Sequence, residues 1–262
     1  MSAELLHLAR SLAVEAGTLV AEGRASGIRS SETKSTSTDM VTEFDRASEA
    51  LIVGRISTLR PNDGIVGEAG TDTEGSSGIR WLVDPIDGTT NFLYGLPGYA
   101  VSIAAADEHG ALVGAVYIPT LGELFSAQRG GGATLNDLPI SCGTLADPAT
   151  ALVATGFSYH PERRAAQARR VARLIGSVRD IRRIGAAAID LCFVAAGRLD
   201  AYFEEGLGPW DLAAGELIAR EAGCRTGDFD GGPARPGEVL VSNPTLFGPM
   251  LALLRVASQP VA

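Results

Sequence analysis

Leu5, Leu8, Leu12, Ala16 and Leu19 recur at three- and four-residue steps, the spacing of one helix face, and predict an amphipathic helix ending near Gly23. A polar stretch rich in serine and threonine, Arg29 to Asp39, follows and reads as a linker, with Lys34 the one base after Ser30. Helical spacing returns from Thr42 to Leu59, where Phe44, Leu51 and Ile52 supply an apolar face and Pro61 follows the end. Asp39 and Asp45 flank that start, where acidic residues cap a helix and suit its dipole. Ile65-Val66-Gly67-Glu68 reads as a short strand that delivers Glu68 at its carboxyl end, ahead of a mobile-looking loop from Gly70 to Gly78. Trp81-Leu82-Val83 is a buried-strand run that changes at Asp84-Pro85 to residues unable to continue a ladder, and Gly88-Thr89-Thr90 then opens a helix.

Ala100 to Asp107 and Ala111 to Ile118 are apolar runs on either side of Glu108-His109-Gly110, a hairpin signal, and Leu124 to Gln128 adds a strand. Arg129-Gly130-Gly131-Gly132-Ala133 lacks the Gly-Lys-Ser/Thr of a phosphate loop and reads as a turn. Breaker residues from Pro139 to Pro148 divide the chain into residues 1–142, which carry the acidic motifs, and residues 143–262, the two packing as one catalytic unit. The second half alternates: strand Ala151 to Thr155, helix Pro161 to Ile175, strand Val178 to Arg182, helix Ala186 to Ala196, strand Leu199 to Phe203. Pro209-Trp210-Asp211 opens another helix, through Glu221, and a last one follows Pro244, so the fold class is α/β.

Composition narrows the function. A 262-residue chain that is 45% hydrophobic buries a large core. Its formal charge of −9 disfavours a broad grip on nucleic acid or an anionic membrane, and no run of about 18 apolar residues predicts a membrane span. Cys142, Cys192 and Cys224 form neither a disulfide framework nor a zinc pattern, and the N-terminus lacks the basic head and apolar region of a leader; both features point to the cytoplasm. Eight arginines between Arg163 and Arg183 read as a solvated face or subunit contact, with a docking patch for nucleic acid or protein as the alternative.

His7, His109 and His160 are unpaired with each other or with cysteine, which leaves carboxylates as the candidate ligands. Glu68, Asp84, Asp87 and Asp211 all fall at predicted strand ends or helix starts, and the Ile86 carbonyl adds an oxygen. Hard oxygen donors at the rim of an α/β sheet suit Mg²⁺. Two such ions neutralise four carboxylates, and a third leaves positive charge to meet a phosphate dianion. Paired ions about 3.5 to 4 Å apart activate a water and stabilise a leaving alkoxide, the chemistry of phosphomonoester hydrolysis.

The stretch Trp81-Leu82-Val83-Asp84-Pro85-Ile86-Asp87-Gly88-Thr89-Thr90-Asn91-Phe92 resembles the signature of the inositol monophosphatase family, Mg²⁺-dependent and lithium-sensitive phosphatases. Asp39-Met40-Val41-Thr42 to Asp45, Val66-Gly67-Glu68 and Trp210-Asp211-Leu212-Ala213-Ala214-Gly215 resemble three further family segments, so the likeness runs from Glu4 to Arg255. It implies a layered α-β-α-β-α sandwich and a homodimer. It also implies roles: Glu68, Asp84 and the Ile86 carbonyl for a first Mg²⁺; Asp84, Asp87 and Asp211 for a second; and Glu68 for a weaker third.

By the same resemblance, Thr89 bonded to Asp45 positions and deprotonates the attacking water, and the amides of Gly88 and Thr89 bind phosphate. Gly185-Ala186-Ala187 and Glu204 face the alcohol. Ala186 stands where serine or threonine is common, and Ala69 replaces a second acid after Glu68. The implied substrate is a small phosphorylated polyol, inositol 1-phosphate, with histidinol phosphate or fructose 1,6-bisphosphate as the alternatives. A reading of another class, a partner in transcription or RNA processing, attaches to the arginine-rich stretch.

Overall fold

The computed structural model describes residues 2–27, 31–33 and 40–258, so Lys34 and Asp39 lie outside the described residues. Helix α1 (Ser2–Ser26) runs past Gly23. Gly23 is a packing position and not a stop: a side chain there would collide with the Phe44 ring. Within the segment read as a linker, strand β1 (Ser31–Thr33) pairs antiparallel with β2 (Met40–Thr42). Helix α2 (Glu43–Leu59) then starts in a capping box, with the Thr42 hydroxyl accepting from the amides of Phe44 and Asp45 while Asp45 Oδ2 accepts from the Thr42 amide at 2.7 Å.

Strands β3 (Gly64–Gly67), β4 (Asp72–Thr73), β5 (Arg80–Asp87), β6 (Ala100–Asp107), β7 (Gly110–Ile118), β8 (Glu123–Gln128), β9 (Gly132–Leu135) and β10 (Leu138–Pro139) form one sheet in the order β10-β9-β8-β7-β6-β5-β3-β4. Helix α3 (Thr89–Tyr94) sits between β5 and β6. Contrary to the sequence reading, β5 does not end at Asp84-Pro85. It pairs with β6 at Asp84–Ser102 and again at Asp87–Ala100, with one extra residue on β5 between them. That bulge absorbs Pro85, which has no N–H for the ladder, and carries the strand on to Asp87. The loop from Gly70 to Gly78 is also tied down: the amides of Ser76 and Ser77 donate to the Asn62 carbonyl at 2.8 and 3.0 Å, and the Ser77 hydroxyl donates to Asp63 at 2.6 Å.

The second half supplies β11 (Leu152–Thr155), helix α4 (Pro161–Leu174), β12 (Asp180–Arg182), helix α5 (Ala187–Ala195), β13 (Ala201–Glu205), helix α6 (Pro209–Glu221), β14 (Arg225–Gly227), β15 (Glu238–Ser242) and helix α7 (Pro244–Ser258). Its sheet runs β12-β11-β13-β15-β14, with β11 parallel to β12 and β13, and β15 antiparallel to both its neighbours. Strands β14 and β15 had no separate sequence signal.

Apolar burial sets the layering. Leu5 and Leu12 of α1 and Ile52 and Ile56 of α2 pack on Trp81, Val83, Val101 and Ile103 of the large sheet. The opposite face of that sheet, through Ala104, Val116 and Phe125, meets Leu191 of α5 and Leu212, Leu217 and Ile218 of α6, which also cover Tyr202, Val239 and Val241 of the small sheet. Leu174 of α4 and Phe247, Met250 and Leu254 of α7 close the far side over Val153 and Phe203. The order is helix, sheet, helix, sheet, helix, an α-β-α-β-α sandwich. Among the described residues no helix is long and apolar enough to cross a membrane.

Candidate active site

A cavity of about 250 Å³ opens where the two sheets meet at α3, α5 and α6. Glu68, Asp84, Ile86, Asp87, Gly88 and Thr89 line it from the first half, and Gly185, Ala186, Ala187, Glu204 and Asp211 from the second. Glu68 follows β3 directly, its amide donating to the Val83 carbonyl at 3.0 Å, so it stands beside Asp84 on the neighbouring parallel strand. The two acidic helix starts, at Asp87 and Asp211, face this one space.

Three of the four carboxylates accept from backbone N–H groups. Asp84 Oδ1 accepts from the Ile86 amide at 3.0 Å, which shapes the bulge. Asp87 Oδ2 accepts from Ala188 at 2.6 Å, in the first turn of α5, where the free amides and the helix dipole favour an anion and where the contact joins the two halves. Asp211 Oδ2 accepts from the Gly208 amide at 2.7 Å at the start of α6. Glu68 is aimed by a residue the sequence reading missed, Glu49 of α2. Its buried carboxylate accepts from the Ala69 amide (2.7 Å), the Thr71 amide (3.0 Å) and the Thr71 hydroxyl (2.7 Å), clasping the turn that follows Glu68. Gly67 leaves room for that carboxylate.

Asp45 lies behind the cavity wall. Thr89 Oγ1 is 3.1 Å from Asp45 Oδ1 and 3.0 Å from the Ile86 carbonyl. One hydroxyl proton serves one of them at a time. The Ser48 hydroxyl donates to the Pro85 carbonyl at 3.1 Å, pinning α2 to the bulge. Gly88 has φ 88°, and a Cβ there would meet the Gly98 carbonyl oxygen at 2.6 Å, so only glycine makes this junction without strain. Asn91 Nδ2 donates to the carbonyls of Gly98 (2.6 Å) and Ile184 (2.8 Å), setting the Gly185–Ala187 wall against α3.

The electrostatics are those of surplus negative charge. Asp84 is pushed well above the ordinary carboxylate range, first by burial, then by repulsion from Glu68, Asp87 and Asp211 and by a carboxyl–carboxyl hydrogen bond with Asp211. Asp87 is raised by burial and by Asp211, against the pull of the Ala188 amide. Burial also raises Glu204, to about 7, while the Tyr202 hydroxyl and the Arg183 guanidinium pull it down. Among the described residues no three acidic, histidine or cysteine side chains, as they stand, close around one point as ligands. The donor set nevertheless fits a hard divalent cation: four carboxylates and a carbonyl, with two of the acids nearly solvent-free and repelling each other.

Phe157, Ser158, Tyr159, His160, Arg163 and Arg183 also line the cavity, where the sequence reading placed none of them; Arg163 and Arg183 were read as the ends of the arginine-rich stretch. The arginine-rich stretch is not one patch. Arg170 pairs with Glu205 at 3.1 Å and stacks on Phe229, Arg182 pairs with Asp180, and Arg173 and Arg179 donate to the carbonyls of Ala257 and Thr150. The triple-glycine segment is a turn, and the amides of Gly130 and Gly132 donate to the carboxylate of Glu221 at 2.9 and 3.0 Å.

The chain matches the model of the inositol monophosphatase family over residues 1–258. It is 42% identical to an inositol-1-monophosphatase of Mycobacterium leprae, across 96% of this chain and 94% of the relative, and 41% identical to a protein of Vibrio cholerae named Nus factor SuhB, across 92% and 91%. Among solved structures, the extragenic suppressor protein suhB from Bartonella henselae superposes with a TM-score of 0.91 at 33% identity, covering 98% of this chain and all of the other. With the signature strand, the acidic helix starts and the layered sandwich in one chain, this protein belongs to the inositol monophosphatase family.

Proposed function

We propose that the protein is a Mg²⁺-dependent phosphomonoesterase that releases phosphate from a small phosphorylated polyol, inositol 1-phosphate first among them. What carries this reading is four carboxylates, Glu68 just after β3, Asp84 and Asp87 on β5 and Asp211 on α6, lining one cavity together with Glu204. Glu68, Asp84, the Ile86 carbonyl, Asp87 and Asp211 would hold two or three ions. Bound Mg²⁺ supplies charge neutralisation and a water acidic enough to attack phosphorus. Thr89, whose proton faces Asp45 or the Ile86 carbonyl, offers an oxygen lone pair that orients that water and takes up its hydrogen bond. The amides of Gly88 and Thr89 hold phosphate, and Gly185, Ala186, Ala187 and Glu204 receive the alcohol. No phosphoenzyme is formed.

Arg183 supports a polyol over the alternative histidinol phosphate. Its guanidinium already lies in the field of Glu204, so a substrate ammonium would be repelled where a hydroxyl is not. Initial rates on inositol 1-phosphate, histidinol phosphate and fructose 1,6-bisphosphate, with Mg²⁺ and then with chelator, test the proposal. Inositol 1-phosphate should lead, and activity surviving complete metal removal would sink it. A homodimer accords with family membership, and sedimentation measures it directly. The second reading, a partner in transcription, draws support from the name of the Vibrio cholerae relative. Its test is RNA and RNA-polymerase binding by Arg169→Glu, because Arg170 is engaged with Glu205 and Phe229.

A further inference from the structure

Glu204 is the one polar side chain of the alcohol wall whose placement depends on another side chain. It sits near the end of β13, two residues beyond Tyr202, and both point to the same side of the strand. Tyr202 is fully buried, and its hydroxyl donates to Glu204 Oε2 at 2.7 Å. The other oxygen, Oε1, accepts no hydrogen bond from the described residues. Gly156, just after β11, leaves room for this carboxylate: a methyl group there would overlap both Glu204 oxygens. The glutamate is thus clamped between a phenol and a bare backbone, with one acceptor turned to the cavity.

Resting on the phosphatase reading, we infer that Tyr202 is a positioning residue that sets specificity: it holds Glu204 so that Oε1 accepts a hydroxyl of the leaving alcohol, selecting polyol phosphates over esters without hydroxyls. Tyr202 touches no substrate. A rotating carboxylate would still be present without it, but with a smaller fraction of its conformers in register with the substrate, and the loss falls on substrates that use this contact. Gly156 serves the same end by clearance.

The test compares Tyr202→Phe with the unaltered protein on inositol 1-phosphate and on phenyl phosphate, whose alcohol has no hydroxyl to offer, at saturating Mg²⁺. Removing one such hydrogen bond should raise KM for inositol 1-phosphate by about 5- to 10-fold, with kcat within about twofold and both constants for phenyl phosphate unchanged. Gly156→Ala, which displaces Glu204 while leaving the phenol in place, should give the same selective rise. Thermal midpoints check that both variants are folded. Equal shifts on the two esters would assign Tyr202 a merely structural role, and no shift on either would detach it from Glu204's function; each overturns the inference. If the unaltered protein hydrolyses neither ester, the phosphatase reading falls and this inference with it, an outcome distinct from normal turnover without selectivity.

Discussion

The two ends of the cavity are built differently. At the acidic end three carboxylates are held by backbone amides, Asp84 by Ile86, Asp87 by Ala188 and Asp211 by Gly208, and Glu68 precedes a turn whose amides are clasped by Glu49. At the alcohol end Glu204 is held by a phenol and by the clearance at Gly156. Backbone-anchored groups move only when an element moves, whereas a side chain held by a side chain is re-aimed by one substitution. Charge can therefore be kept in place at one end while the group accepted at the other is retuned.

The sharpest way to break this comparison is to remove charge at the acidic end. Asp87→Asn keeps an oxygen for the Ala188 amide but loses a ligand, and turnover should fall by more than roughly 100-fold. Metal-free thermal stability should stay level or rise, because a buried, repelled charge has gone. Near-normal rates in that variant would contradict the assignment. Next is Glu49→Ala, which strips three hydrogen bonds from the turn behind Glu68 and should cost about 3 kcal/mol in denaturant unfolding. The Mg²⁺ concentration needed for thermal stabilisation should rise with it; an unchanged midpoint and metal response would show that Glu49 does not brace this end.

Gly88→Ala tests the junction between strand and α3, where φ is 88° and the Gly98 carbonyl is close. A loss of about 1 to 3 kcal/mol is expected, together with a lower kcat, and full stability would mean the junction relaxes freely. The smallest effect concerns pH at the alcohol end. Glu204 is raised from 4.5 to about 7 in the folded protein, so the folded state holds a proton that the unfolded chain has released. Its contribution to stability should fall as pH rises through that window and be constant on either side of it. Glu204→Gln should flatten this slope in metal-free thermal melts at pH 5 and pH 8; a slope equal to that of the unaltered protein would place the titration elsewhere.

The acidic end was legible in the sequence because its residues sit where element type changes. An apolar run, a proline and a glycine mark the end of a strand at Asp84–Gly88, and Pro209-Trp210-Asp211 marks a helix start. What stayed hidden was the bulge. A proline after an apolar run signals the end of a strand, and only the pairing partner Ser102–Ala100 shows that the ladder resumes at Asp87. Glu49 was hidden for a related reason: on a helix it reads as one more surface acid, and its burial against the turn after Glu68 depends on a contact some 20 positions along the chain.

By itself the sequence determined the type of the longer elements, the α/β class and the acids that line the cavity near element ends, since periodicity, breakers and caps act over a few residues. The tertiary structure alone decided the placement of Tyr202 and Gly156 around Glu204, the entry of Arg163 and Arg183 into the cavity wall, and the engagement of Arg170, Arg173, Arg179 and Arg182 in separate structural contacts. Those outcomes depend on which strands become neighbours, and strand order is set by burial summed over both sheets, which no local stretch of the chain encodes.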